Sequence, residues 1–492
     1  MKTKLLSFIL LGCIAMRLHA QQFTARNVAI GLSQPREYSV DDIDGDGFLD
    51  IIVAEFSGNS ISILYGTGNL ANFTKVTLNG LVRSANGSAV KPWSTLVMDV
   101  DGDNQKDILF SNYNVSVGND GLFWLRNTGN RTFSSSAQTL QLLNRCRGIY
   151  KANFDADPED EIIIAGDNST VGNIRMFNLN TTNSSISQFE SYSGLNRPLH
   201  ITSTDYNQDG FQDLIFTKYG TGSEQGLNAS INTNGVTIIN SPFPGSIDVE
   251  TLIDNSDVSV RGTRKTIAFD FNEDGLVDFA SVSLGNGNWT NLQSRENVSG
   301  TQTSHLSVQN GSRSMVSLAG GDFNNDNVPD IVVADNSADE ILFFENTATS
   351  GTATPNITFN SPTILTSAVM DPYWIESADL DGDGDLDIIV TCTNGNGANQ
   401  GFVTVFENEA IVLSTPEFTS QNIKLITSDT DIIISNLPTS VKSGCLYDIS
   451  GRLIRTQKIN SQNNLFALQG IQAGVYILQL STPNTIFKIV KQ

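Results

Sequence analysis

The chain has 492 residues, with 52 Asp and Glu against 29 Lys and Arg and a formal net charge of −23. That balance argues against a nucleic-acid ligand, which rewards basic faces, and the length leaves room for several domains and a large buried core. Beyond the N-terminal segment, no apolar run is long enough to span a bilayer.

Residues 1–20 read as a signal peptide: Lys2 and Lys4 make the charged start, Leu5 to Leu11 the apolar run, and Ala20 precedes Gln21. A rival cleavage site is the near-lipobox Leu10-Leu-Gly-Cys13. Removing the segment leaves 26 basic residues against 52 acidic ones, a net charge of −26, and three cysteines, Cys146, Cys392 and Cys445. An odd, sparse set is not a disulfide framework. The three are expected to be small buried apolar residues.

Next comes Phe23-Thr-Ala-Arg-Asn-Val-Ala-Ile30, which has strand composition, and then a nine-residue loop. Asp42, Asp44, Asp46 and Asp50 occupy its positions 1, 3, 5 and 9, and Gly47 stands at position 6, where a sharp turn favours positive φ. Carboxylates at this spacing wrap oxygens around a hard cation, and the carbonyl of Phe48 at position 7 adds another. Ca²⁺ suits such a loop better than Mg²⁺, because it accepts six to eight oxygens in irregular geometry.

The loop recurs six more times, its first positions separated by 57, 54, 52, 65, 52 and 57 residues. The second copy offers Asp99, Asp101, Asp103, Gln105 and Asp107, the fourth Asp205, Asn207, Asp209, Phe211 and Asp213. The fifth offers Asp270, Asn272, Asp274, Leu276 and Asp278, and the sixth Asp322, Asn324, Asp326, Val328 and Asp330. The seventh offers Asp379, Asp381, Asp383, Asp385 and Asp387. The third copy, Asn153, Asp155, Asp157 and Glu161, departs from the pattern. Pro158 sits where the turn wants Gly or Asn, and its locked φ cannot become left-handed, so metal is doubtful there. Positions 1, 3, 5 and 9 of the seven copies hold 24 of the 52 acids, so much of the acidity is metal-binding charge.

Each loop is preceded by a short strand and followed by an apolar run such as Ile51 to Ala54 or Ile331 to Ala334. Polar turns then separate a third and a fourth strand. Short strands between turn signals mean all-β structure, and a fixed period of this size means stacked or radial repeats. Four strands in each of seven repeats predict a seven-bladed β-propeller over residues 21–413. The seventh repeat lacks an obvious fourth strand, so Phe23 to Ile30 is expected to complete it and close the ring.

These loops and strands resemble the FG-GAP/VCBS repeats of integrin-alpha-like propellers and bacterial surface proteins, over roughly residues 22–410. The resemblance implies Ca²⁺ between the first and second strands of each blade, at up to seven sites. It does not fix a ligand.

From Glu417 onward the balance shifts to four acids and seven bases. Cys445-Leu-Tyr-Asp-Ile-Ser-Gly-Arg-Leu-Ile454 reads as a hairpin, Gln472 to Leu480 as a Gly-opened strand and Ile486 to Lys491 as a last strand. Residues 414–492 thus form a small β-sandwich. It resembles the C-terminal type A sorting domain of type IX secretion, although the Asn-Pro usual near the domain start is missing. The alternative is an ordinary Ig-like appendage. The sorting resemblance implies recognition by the secretion machinery, export across the outer membrane, removal of the domain, and release or attachment at the surface.

The mature chain has two histidines, His200 and His305, and no His-Glu-x-x-His, Gly-x-Ser-x-Gly or Gly-Lys-Ser/Thr motif. The leading expectation is therefore a calcium-stabilised binding or adhesion module for glycan or protein, without catalytic residues. A carboxylate-based polysaccharide lyase or hydrolase, or a structural spacer beside a catalytic partner, stays open, because fold alone does not choose. In propellers the first strand of each blade lines the central channel. Six places before each first ligand stand Arg36, Trp93, Arg147, Leu199, Arg264, Val316 and Tyr373, and the next position adds His200 and Trp374. Arg36, Trp93, Arg147, His200, Arg264, Tyr373 and Trp374 are thus expected to share one rim. Aromatic faces stack on sugars and Arg forks pair with carboxylates.

Overall fold

The computed structural model describes residues 23–113, 120–154, 159–167, 172–195, 198–206, 208, 212–218, 235–239, 249–251, 263–283, 292–298, 301–309, 313–348, 357–393 and 400–409. It also describes residues 424–427, 431–435, 443–448, 453–459, 464–472, 474–480 and 486–491. The signal-peptide reading lies outside these residues. All regular structure described is strand, and the chain divides into two compact units, Met1–Ala410 and Ile411–Gln492.

In the first unit the repeat becomes an antiparallel sheet whose strands pair in chain order. The first repeat is typical: Pro35–Asp41, Asp50–Glu55, Ser60–Tyr65 and Thr74–Leu78 pair side by side. The acid at loop position 9 is the first residue of the second strand in every repeat, from Asp50–Glu55 to Asp387–Cys392. Ile51, Ile52, Val53 and Ala54 are all fully buried. A strand covered on both faces needs no alternation, which is why these runs are continuously apolar. The outer strand Thr74–Leu78 is partly exposed.

Seven such sheets are described in this unit, and the architecture is a β-propeller. Their first strands are Pro35–Asp41, Pro92–Met98, Ile149–Ala152, Pro198–Thr204, Thr263–Phe269, Met315–Gly321 and Pro372–Ala378. Each lies against the next, and the last lies against the first. Apolar side chains fill the space between neighbouring sheets, as where Ile52 and Ile63 meet Val97 and Phe110. The ring closes in two ways. Phe23–Leu32 pairs antiparallel with Gly401–Asn408, so the N-terminal strand supplies the fourth strand of the last sheet. At the inner edge, the Tyr38 hydroxyl donates to the Ile389 carbonyl at 2.6 Å and the Thr391 hydroxyl to the Arg36 carbonyl at 2.9 Å.

The second repeat is more elaborate than its sequence suggests. A short hairpin, Asn127–Gly129 with Thr132–Phe133, precedes the outer strand Ser136–Leu142, and Val82–Arg83 adds a parallel strand beyond it.

In the second unit a three-stranded sheet (Lys424–Thr427, Asp431–Ser435, Leu465–Ala467) and a four-stranded one (Leu453–Lys458, Ser443–Asp448, Gly474–Leu480, Ile486–Lys491) share one apolar core. Ile432, Ile434 and Phe466 meet Leu446, Leu478 and Ile489 there. Cys146 and Cys392 are buried free thiols. Cys445 corrects the expectation of three buried cysteines. It is half-buried, with its sulfur 3.5 Å from the Thr456 hydroxyl.

Candidate functional site

The nine-residue loops are held by their own carboxylates. Asp42 at position 1 accepts the backbone N–H groups of Gly45, Asp46 and Gly47 at 2.7, 3.1 and 2.9 Å. Asp99, Asp270, Asp322 and Asp379 accept equivalent bonds in their own copies. Positive φ is needed at position 4 as well as at position 6. Gly45 and Gly47 take 77° and 91°, Gly102 and Asn104 75° and 65°, Asn325 and Asn327 57° and 73°. Position 3 holds position 5: Asp44 and Asn272 accept the N–H groups of Asp46 and Asp274. Asn324 does the same for Asp326.

Position 9 has a different duty. Asp50 is fully buried, and its carboxylate accepts the N–H of Ile43 at 3.0 Å and that of Gly66 at 2.8 Å. It bolts the loop to the third strand. Asp107, Asp330 and Asp387 repeat this with Val100 and Asn127, Phe323 and Asn346, and Leu380 and Asn408. Asp213 and Asp278 accept from Tyr206 and Phe271. Burial, partly offset by these bonds, pushes the carboxyls of Asp50 and Asp387 up to about 7 and that of Asp107 to about 6, with neighbouring loop carboxylates adding to the rise.

The donor set fits a hard cation. Ligand oxygens of Asp42, Asp44 and Asp50 lie within 4.8 Å of one another, as do those of Asp99, Asp101 and Asp107 and those of Asp379, Asp381 and Asp383. Asp101 and Asp381 each present a buried Oδ1 that has no hydrogen-bond partner. A buried, unpaired carboxylate oxygen is costly, and a divalent ion among these groups would compensate it. Gln105, Phe48, Leu276, Val328 and Asp385 stand at position 7, where a backbone carbonyl would complete an all-oxygen set. In the third copy Glu161 accepts the Phe154 N–H at 2.7 Å, so the bolt persists there. Asp155 and Asp157 lie outside the described residues, and so do Asn207, Asp209 and Phe211 of the fourth copy.

Two arginines absent from the loop pattern reach these carboxylates. Arg131, at the turn of the extra hairpin, pairs with Asp44 and Asp46 of the first loop and lies over the Tyr65 ring at 4.3 Å. Arg126 pairs with Asp101 and Asp103 of the second. It uses Oδ2 of Asp101 and leaves Oδ1 free. Nothing in the loop spacing signals them.

The channel residues form two layers, not one rim. In the outer layer the Arg36 guanidinium lies over Trp93, Tyr373 and Phe56, at 5.0, 4.4 and 5.3 Å from the ring centroids. Arg147 lies over Trp93 and Tyr113 at 5.3 and 4.5 Å and donates to the Tyr113 hydroxyl. Arg264 lies over Tyr373 at 5.1 Å. Phe56 and Tyr113, each just past the end of a second strand, were not legible from the first-strand register.

His200 and Trp374 belong one layer deeper: each is one residue further along its first strand, where a register shift between Pro198 and Ile201 and between Pro372 and Trp374 interrupts the strict alternation of faces. They face each other with ring centroids 5.7 Å apart. Lys265 and Glu37 join them. Lys265 is 1% exposed, donates to the Ile375 carbonyl and to Glu376, and lies over the Trp374 ring at 4.3 Å. Glu37 accepts the Trp93 indole N–H at 3.0 Å, and burial raises its carboxyl to about 7 against the opposing pull of Trp93, Ser94, Arg264 and Lys265. Burial and then Lys265 hold the His200 imidazole well below its usual range. These residues line a cavity of about 240 Å³.

The family described as FG-GAP-like repeat matches residues 42–110, 270–333 and 322–390. No curated protein matches. Among solved structures, the chain is similar to the crystal structure of BBS1N in complex with ARL6DN soaked with mercury, with TM-score 0.47 and 9% identity, covering 79% of this chain and 98% of that one. The lead-soaked form of the same complex gives TM-score 0.46, 9% identity, and 78% and 96% coverage.

Proposed function

We propose that this chain is an exported, calcium-stabilised β-propeller that binds an acidic glycan at the outer layer of its channel, without catalysing a reaction. The carrying observation is that layer. Three guanidinium groups, Arg36, Arg147 and Arg264, interleave with Trp93, Tyr113 and Tyr373 at one end of the channel of an acidic protein. A guanidinium stacked on rings can still present an edge to a carboxylate, and aromatic faces suit a sugar ring. Buried Arg36 Nε has no hydrogen-bond partner, so the group has donor capacity left. The loop carboxylates serve as metal ligands and strand bolts in this reading, not as an acid–base pair. Bound Ca²⁺ would supply the positive charge that the loops lack. Their own Asp side chains and backbone N–H groups set the hairpins between first and second strands, and so fix the channel layers.

Export rests on the N-terminal signal-like segment, and the C-terminal unit acts as the type IX sorting domain. Support for the latter is its two-sheet sandwich with the hairpin Ser443–Asp448 and Leu453–Lys458. The test is binding of polygalacturonate and of a neutral glucan to the calcium-loaded protein, beside an Asp/Glu-rich peptide. Saturable binding of polygalacturonate, weakened at least tenfold in the folded double variant Trp93→Ala, Arg147→Ala, is expected. Equal binding by that variant, or preference for the peptide or the neutral glucan, overturns the reading.

A further inference from the structure

The inner layer is built differently from the outer one, and the outer-layer reading makes no use of it. Its cavity, about 240 Å³, is smaller than the roughly 300–1,000 Å³ that suits drug-sized ligands and far larger than the ~10–15 Å³ needed by one water. Its walls carry polar groups with hydrogen-bonding capacity left, although the Ser39 hydroxyl already shares a bond of 3.1 Å with that of Thr95. His200 Nδ1 is buried without a hydrogen-bond partner. The Lys265 ammonium has three N–H donors and directs two bonds, to Ile375 and Glu376. The Ser39 and Thr202 hydroxyls line the same space, and the Trp374 ring gives it one aromatic wall.

Charge narrows the choice of occupant. Lys265 and Glu376 neutralise each other at 2.6 Å. His200 is held neutral by burial and by Lys265, and the Glu37 carboxyl titrates near neutrality. A ligand with net charge would bring an uncompensated charge against walls whose own charges are matched, with the buried Lys265 already paired to the part-exposed Glu376. A ligand with many hydroxyls and no charge would instead satisfy the imidazole, the spare ammonium proton and the wall hydroxyls.

We propose that the cavity inside the ring is a second binding site, for a small uncharged polyhydroxylated molecule of about one sugar unit, held by His200, Thr202 and Lys265 against Trp374. This site is separate from the Arg–aromatic layer and does not depend on it for recognition.

The experiment uses the full-length calcium-loaded protein, with glucose, galactose, mannose and N-acetylglucosamine as probes and galacturonate and glucosamine as charged comparators. Binding is read by tryptophan fluorescence and by saturation-transfer NMR. At least one neutral sugar is expected to saturate the protein, with binding weakened at least tenfold in His200→Ala and in Thr202→Val. The conservative Thr202→Val keeps the test open should His200→Ala fail to fold. The proposal is overturned if no neutral sugar saturates, if a folded variant binds as the parent does, or if the charged comparators bind more tightly than the neutral sugars. Because the Trp93 indole N–H bonds Glu37 on the cavity wall, the outer layer is read apart from the cavity with Arg147→Ala alone, which is expected to weaken polygalacturonate binding and to leave neutral-sugar binding unchanged.

Discussion

Glu37 and Asn346 illustrate what single side chains contribute beyond the motif that surrounds them. The Glu37 carboxyl is raised from an ordinary 4.5 to about 7, mainly by burial. A folded pKa above the unfolded one means that folding takes up a proton. The stabilisation is fully present below pH ~4.5 and is lost as pH rises through ~7. Glu37→Gln keeps an acceptor for the Trp93 N–H and removes the titration. With Ca²⁺ held saturating, the variant is expected to be more stable than the parent at pH 8, by up to roughly 3 kcal/mol, and about equal to it at pH 4. Denaturant melts at the two pH values read this difference, and a gain of the same size at both would contradict the assignment. Asn346 acts between sheets. Its side-chain amide donates to the Phe271 carbonyl of the preceding repeat at 2.7 Å and to the Pro329 carbonyl at 3.0 Å. Asn127 and Asn408 make the same reach, to Ile43 and Phe323. Asn346→Ala leaves two buried carbonyls short of a partner, and a loss of roughly 1–3 kcal/mol is expected in urea unfolding. An unchanged midpoint would mean that water replaces the amide without cost.

At the scale of the element, the hairpin formed by first strand, loop and second strand is the unit that the sequence declares most openly. Carboxylates at positions 1, 3, 5 and 9 and the apolar run after them determine its turn, its register and its burial, and all three are local. What the spacing does not declare depends on the third dimension. Arg126 and Arg131 reach the loops from the start and the turn of a hairpin in the second repeat. Lys265 and Glu37 read as ordinary strand residues until the ring brings Trp374, Glu376 and Trp93 against them. The N-terminal strand lies between these cases. Its composition marks it as a strand, and its partner, Gly401–Asn408, follows only from the missing fourth strand of the last repeat. Arg26 pairs with Glu407 across that junction. Deleting residues 23–30 would bare the edge of Gly401–Asn408. Aggregation or a broad, non-cooperative melt is expected, and a truncated protein as stable as the parent would contradict closure by this strand.

On the scale of the whole molecule, the first unit is a ring of sheets whose acidity is concentrated in the loops between first and second strands. Without a cation those carboxylates repel one another and bury unpaired oxygens such as Asp101 Oδ1 and Asp381 Oδ1. An ion that binds only the folded state stabilises it by about 2.7 kcal/mol per site at a hundredfold excess over Kd. Losses at several loops would therefore add up across one ring. The most direct test is the thermal melt of the full-length protein in EDTA, in excess Ca²⁺ and in excess Mg²⁺, with Asp44→Ala and Asp155→Ala beside the parent. A large fall in Tm on chelation is expected, restored by Ca²⁺ more fully than by Mg²⁺. The calcium-dependent gain should be smaller in Asp44→Ala and nearly unchanged in Asp155→Ala. A melting curve that is the same in EDTA as in Ca²⁺ would contradict the account.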